Sequence, residues 1–96
     1  MVIDFPKQTP RAFTRADVLS VTPGQIGVYG LFKSGQWVYI RRGDIRAELL
    51  RYLNGENPNI NLWGPTHWVD VVTADDVETE KRLILKYQPI ANRKVG

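Results

Sequence analysis

Glu80 is the side chain in this sequence whose position is hardest to explain by solubility alone. Spacing predicts a helix from Thr73 to about Tyr87, with an apolar stripe of Val77, Ile84 and Tyr87. At about 100° per residue, Glu80 falls in the middle of that stripe. A carboxylate facing a core is costly unless it is paired, protonated or bound to a metal. Two readings follow. In one, an Arg or Lys pairs with it at the core edge, or the helix is turned enough for Glu80 to reach water. In the other, Glu80 is a metal ligand in a cleft between helix and sheet. Magnesium often takes only one or two protein carboxylates and keeps several waters, so a lone acid can suffice.

The elements that must position Glu80 can be read along the chain. Residues 1–25 form a lead-in with a short helix, capped by Thr14 and stopped by Pro23-Gly24. Ile26 to Phe32 and Gln36 to Ile40 are β-branched and aromatic runs around Lys33-Ser34-Gly35, the pattern of a β-hairpin. Asp44 is placed to cap a helix from Ile45 to about Asn54, with Ile45, Leu49, Tyr52 and Leu53 on its apolar side. Residues 55–66 are rich in turn formers and read as a loop. His67 to Val72 reads as a third strand. Thr73 is placed to cap the last helix, with Asp76 in the capping-box position, and Pro89 ends it. The expected fold is an α+β sandwich, a small three-stranded sheet that begins with a hairpin and is flanked by helices. The main domain spans residues 26–96.

Composition removes several function classes. The chain has 96 residues, enough for one domain. It contains no cysteine, which excludes disulfides and a Cys-rich zinc site and fits a reducing, cytoplasmic setting. Its start lacks the charge and apolar pattern of a secretory signal, and no apolar run approaches the ~20 residues needed to span a bilayer. A net charge of +3 gives a mild bias toward polyanions.

Four motifs then occur in order. Gly27-Val28-Tyr29 is followed ten residues later by Val38-Tyr39-Ile40, and after it by the helix start Gly43-Asp44-Ile45-Arg46. The stretch from Glu80 to Asn92 supplies a glutamate, an apolar helix, Tyr87-x-Pro89 and an asparagine. Together, over residues 26–93, they resemble the GIY-YIG endonucleases. The resemblance implies metal-dependent hydrolysis of nucleic-acid phosphodiesters, of DNA in the first instance, with one divalent cation, Mg or Mn, on Glu80. It implies that Tyr29 and Tyr39 line the site and handle the attacking water, and that Asn92 fixes local geometry. Arg42 matches a position that is often basic in the family, and Arg41 and Arg51 are further candidates for phosphate contact. A protein partner is one source of specificity for so short a chain.

Other readings of these residues are ordinary. Strand tyrosines mostly pack on a sheet face. His67 reads as a structural or surface residue, and Trp37, Trp63 and Trp68 as core or loop anchors rather than base-stacking platforms. If Tyr29 and Tyr39 share a site, they must lie on one face of the hairpin. That requires a three-residue loop or an equivalent bulge, because a plain two-residue loop at Ser34-Gly35 puts them on opposite faces.

The sequence also departs from the family pattern. Arg41 stands where the second motif usually ends in glycine. Glu48 stands where the family places a helix-borne catalytic arginine. Arg46 points away from Glu48 around the helix, whereas Arg51 or Arg41 could stand in. The alternative to an active endonuclease is therefore a catalytically degenerate module of the same fold that binds nucleic acid or protein. More distant is an unrelated small α/β scaffold in which Glu80 pairs with a structural Arg and no cleft exists.

Overall fold

The computed structural model describes residues 4–92, so the expected domain's last residues, 93–96, and the opening residues 1–3 lie outside it. It is a small α+β structure built on a four-stranded antiparallel sheet. The strands are β1 (Arg11–Ala12), β2 (Ile26–Lys33), β3 (Gln36–Asp44) and β4 (His67–Val72), in the spatial order β1-β4-β2-β3. The helices are α1 (Arg15–Leu19), α2 (Ile45–Leu53), α3 (Pro58–Trp63) and α4 (Asp76–Tyr87), followed by a 3-10 turn at Ile90–Asn92.

The expected three strands become four because residues of the lead-in pair with β4, Arg11 with Trp68 and Ala12 with His67. A two-residue strand has no alternation to detect. The lead-in also enters both sides of the core. Val18 and Val21 are buried with the α2 residues, while Phe5 stacks on Trp37, ring centres 5.4 Å apart.

The expected loop at 55–66 contains α3. The side chain of Asn57 accepts from the Ile60 amide, Pro58 opens the helix, and left-handed Gly64 closes it. An Asn cap before a proline in the first turn is a helix start as well as a turn signal. At α4 the expected cap also differs. The Thr73 hydroxyl accepts from the Asp75 amide ahead of the helix, and Asp75 flanks the helix without a side-chain cap bond.

The sheet has helices on both faces. One face carries Tyr29, Leu31 and Trp68 against Val18, Ile45, Leu49, Tyr52 and Ile60. The other carries Val28 and Ile40 against Leu83 of α4, with Phe5, Trp37 and Tyr87 packed around them. Among the described residues, no helix is long and apolar enough to cross a membrane.

The hairpin has a tight turn and a bulge. Ser34 and Gly35 both have positive φ, 47° and 80°, as a two-residue turn of matching twist requires. The register then shifts between Leu31 and Phe32, so that Leu31 pairs with Tyr39 and Tyr29 with Arg41. Val38 is the extra residue. This bulge returns Tyr29, Leu31, Tyr39 and Arg41 to one face of the sheet.

Candidate functional site

β3 is an edge strand, so the backbone groups on its outer side need partners from elsewhere. Asn92 supplies two. Its Oδ1 accepts from the Ile40 amide at 2.8 Å, and its Nδ2 donates to the Ile40 carbonyl at 2.8 Å. Two residues along the same edge, the Arg42 amide donates to Glu80 Oε2 at 2.9 Å. Glu80 thus reaches the strand edge from α4, and Asn92 reaches it from the turn that follows that helix.

Glu80 does not point into the core. The line that α4 buries is Thr79 and Leu83, and Val77, expected in the apolar stripe, is 47 % exposed. Relative to the expected stripe, the helix is rotated toward Thr79, which is buried with its hydroxyl unpartnered among the described residues. Glu80 lies on the half-buried flank. The charge is therefore held at the sheet edge by a backbone amide rather than by a paired cation.

Tyr29 and Tyr39 of the sheet gather around Tyr52 of α2 in tilted and edge-on contacts. Tyr29 is fully buried, and its hydroxyl lies 2.6 Å from that of Tyr52, itself 7 % exposed. The Tyr39 ring meets Tyr52 edge-on, with centres 5.8 Å apart, and is only partly buried. Tyr52 was expected only as packing on the α2 stripe, yet it links the two strand tyrosines. The available signal was chemical: a buried phenol needs a partner for its hydroxyl.

Burial, reinforced by the neighbouring Tyr52, holds the Tyr29 phenol far above its ordinary range. Burial also pushes Tyr52 from 10.0 up to about 12, opposed by its hydrogen bond with Tyr29. Either hydroxyl of the pair can donate to the other. In the folded chain Tyr52 keeps its proton to a higher pH than in the unfolded chain. The stabilisation is thus complete below pH 10 and is lost as pH rises from 10 through about 12. We expect the 295 nm ionisation band to lack the contribution of Tyr52 at pH 10.5, and Tyr52→Phe to leave that part of the curve unchanged.

The cations divide into paired and unpaired groups. Arg42 reaches Asp76 at 3.4 Å. Arg51 is held by Glu48 at 3.1 Å and by Glu56 at 3.3 Å. Arg41 forms no ion pair among the described residues and lies on the tyrosine face. Tyr39 first, then the Glu80 carboxylate, hold its guanidinium above its ordinary range, with burial opposing. Glu48 packs over Gly43, its Oε1 3.2 Å from where a β-carbon on that glycine would stand, and its charge reaches Tyr29 and Tyr52.

Tyr39 and Arg41 thus leave the edge strand β3 on the face that carries the buried Tyr29, while Glu80 reaches the outer edge of β3 from α4, which packs on the opposite face, and Asn92 holds the same edge. The structure keeps Arg51 occupied with acids on the far part of α2. A divalent cation fits the donor set in a limited way. Glu80 Oε1 accepts no hydrogen bond among the described residues, which leaves one carboxylate oxygen available. No group of three or more His, Cys, Asp or Glu gathers among them, so water and a phosphate oxygen would complete the shell. Two surface hollows open elsewhere. One of about 410 Å³ is lined by Pro10, Phe32, Thr66 and His67, and one of about 140 Å³ by Pro23, Asp44, Arg46 and Leu50. Comparison with protein-family models, with curated proteins and with solved structures gives no match.

Proposed function

We propose that this chain is a metal-dependent endonuclease of the GIY-YIG kind that hydrolyses nucleic-acid phosphodiesters. The observation that carries the reading is the Glu80 carboxylate, with one oxygen free of hydrogen bonds among the described residues, at the outer edge of the strand that carries Tyr39 and Arg41. When bound by Glu80, one Mg or Mn ion would act as a Lewis acid on the phosphate and stabilise the leaving oxygen.

The remaining roles fall to the chain itself. The Arg42 amide fixes Glu80 Oε2 and leaves Oε1 without a hydrogen bond among the described residues. Asn92 clamps Ile40, the residue between Tyr39 and Arg41, and so fixes the strand from which both side chains leave. Tyr39, the least buried phenol of the three, is placed to orient the attacking water. Tyr29 holds Tyr52 from below, which in turn braces the Tyr39 ring. Arg41 and Arg42 lie on opposite faces of the edge strand and would contact the nucleic-acid backbone, whereas Arg51 would first have to leave Glu48 and Glu56.

The test is cleavage of an end-labelled duplex. Hydrolysis is expected with Mg or Mn and none with EDTA. Folded protein that cleaves in neither metal would end the hydrolase reading. A second reading, a nucleic-acid-binding module without catalysis, is favoured by one observation. The Glu48 carboxylate places negative charge near the phenols, where phosphate charge would build. Binding without cleavage, weakening steeply with salt, is its signature.

A further inference from the structure

Phosphodiester hydrolysis concentrates negative charge on the phosphate, and a site that performs it needs a fixed cationic donor there. Which side chain supplies it here can be decided by elimination over the arginines around the β3 edge. Arg51 is occupied by two carboxylates, Glu48 and Glu56. Arg42 leaves the strand on the α4 face and pairs with Asp76. Arg46 sits on α2 and lines the small hollow with Pro23, Asp44 and Leu50.

Arg41 remains. Its register partner is Tyr29, so its side chain leaves β3 on the tyrosine face. The next residue's amide holds Glu80, so the Arg41 backbone and the carboxylate are adjacent along one strand edge. Arg41 and Glu80 nevertheless form no ion pair, so the guanidinium is available to a ligand. Its planar fork of donors suits two phosphate oxygens at once.

We propose that Arg41 is the catalytic cation of this site, carried on the strand rather than on the helix, where the acidic Glu48 stands. The assignment rests on the hydrolase reading above. It explains why Glu48 is tolerated: Arg51 neutralises that carboxylate, and the cation needed by the phosphate arrives from across the cluster. It also gives Asn92 a consequence beyond stability, because clamping Ile40 holds the backbone from which Arg41 projects.

The experiment compares wild type, Arg41→Gly, Arg41→Lys, Arg51→Ala and the double variant Arg41→Gly/Glu48→Arg. Single-turnover cleavage with Mn is measured at saturating protein, and duplex binding is measured separately in EDTA. Circular dichroism melting checks that each variant folds. Arg41→Gly should lose about 100-fold in the cleavage step, with duplex binding reduced only a few-fold. Arg41→Lys should recover part of the rate, because it restores charge without the fork. The double variant should recover at least tenfold over Arg41→Gly, and Arg51→Ala, which exposes the Glu48 charge without removing the phosphate donor, should lose less than Arg41→Gly. An active wild type beside Arg41→Gly within threefold of its rate would overturn the assignment and leave the hydrolase reading standing. A loss seen in binding alone would also overturn it. A folded, inactive wild type would overturn both.

Discussion

Gly27→Ala is expected to destabilise the fold by about 4 kcal/mol, close to the largest effect a single substitution usually has. Gly27 sits in β2 between Gly43 of β3 and Val72 of β4. A β-carbon there would lie 2.1 Å from the Val71 carbonyl oxygen and 2.9 Å from the Val72 α-carbon. Both atoms are backbone, so no rotamer change relieves the overlap. β4 would have to move off β2, and β2 to β4 is the central pairing of the sheet. Gly30 provides a contrast within the same strand. Its added β-carbon would meet Trp37 Cζ3 at 2.6 Å and the Phe5 ring at 3.0 Å, side chains that can shift. Gly30→Ala should therefore cost less, about 1–3 kcal/mol as overpacking of the aromatic cluster. Urea unfolding of the two variants checks the order, and Gly27→Ala within 1 kcal/mol of wild type would contradict the tight approach of the strands.

The same strands illustrate how far the sequence carries the fold. The two β-branched and aromatic runs and a glycine-containing turn between them were legible because both are local signals, but the loop is the two residues Ser34-Gly35 with a bulge rather than the three residues 33–35. The need for a bulge was legible only through the condition that Tyr29 and Tyr39 share a face, and the shift between Leu31 and Phe32 meets it. What was not legible is mostly tertiary. Two residues of the lead-in join the sheet because β4 offers them an edge, and nothing in Arg11-Ala12 marks this. Asn57-Pro58 carries the start of α3, but the surrounding turn formers read as loop.

The residues of the candidate site could be named from the sequence, but their arrangement could not. Glu80 looked buried because Val77 and Ile84 bracket it, yet Thr79 and Leu83 form the line that packs on the sheet. The methyl of a threonine is invisible to a pattern that counts it as polar. Tyr52 was assigned to packing, and its hydroxyl bond to Tyr29 depends on two elements meeting in space. Choosing between Arg41 and Arg51 needed the strand register on one side and the ion pairs of α2 on the other.

The second large effect concerns chemistry and leaves the fold intact. Glu80→Gln keeps an oxygen to accept the Arg42 amide and changes volume little. Glu80 is half-buried and forms no ion pair, so stability should fall by about 1 kcal/mol or less. Its anionic oxygen, however, is the charge that would hold a divalent cation. Losing several kcal/mol of Lewis-acid stabilisation corresponds to a rate loss of about 1,000-fold or more. A fold-preserving variant with so large a kinetic effect separates a catalytic carboxylate from a structural one.

Conversion of supercoiled plasmid to nicked circles, by wild type beside Glu80→Gln in Mg or Mn, is the most direct measurement. The expected result is nicking that follows the folded wild-type protein through purification and is absent from the equally folded variant. Equal nicking by both, or none by folded wild type in either metal, would contradict the assignment of this strand edge as a metal-dependent nuclease site.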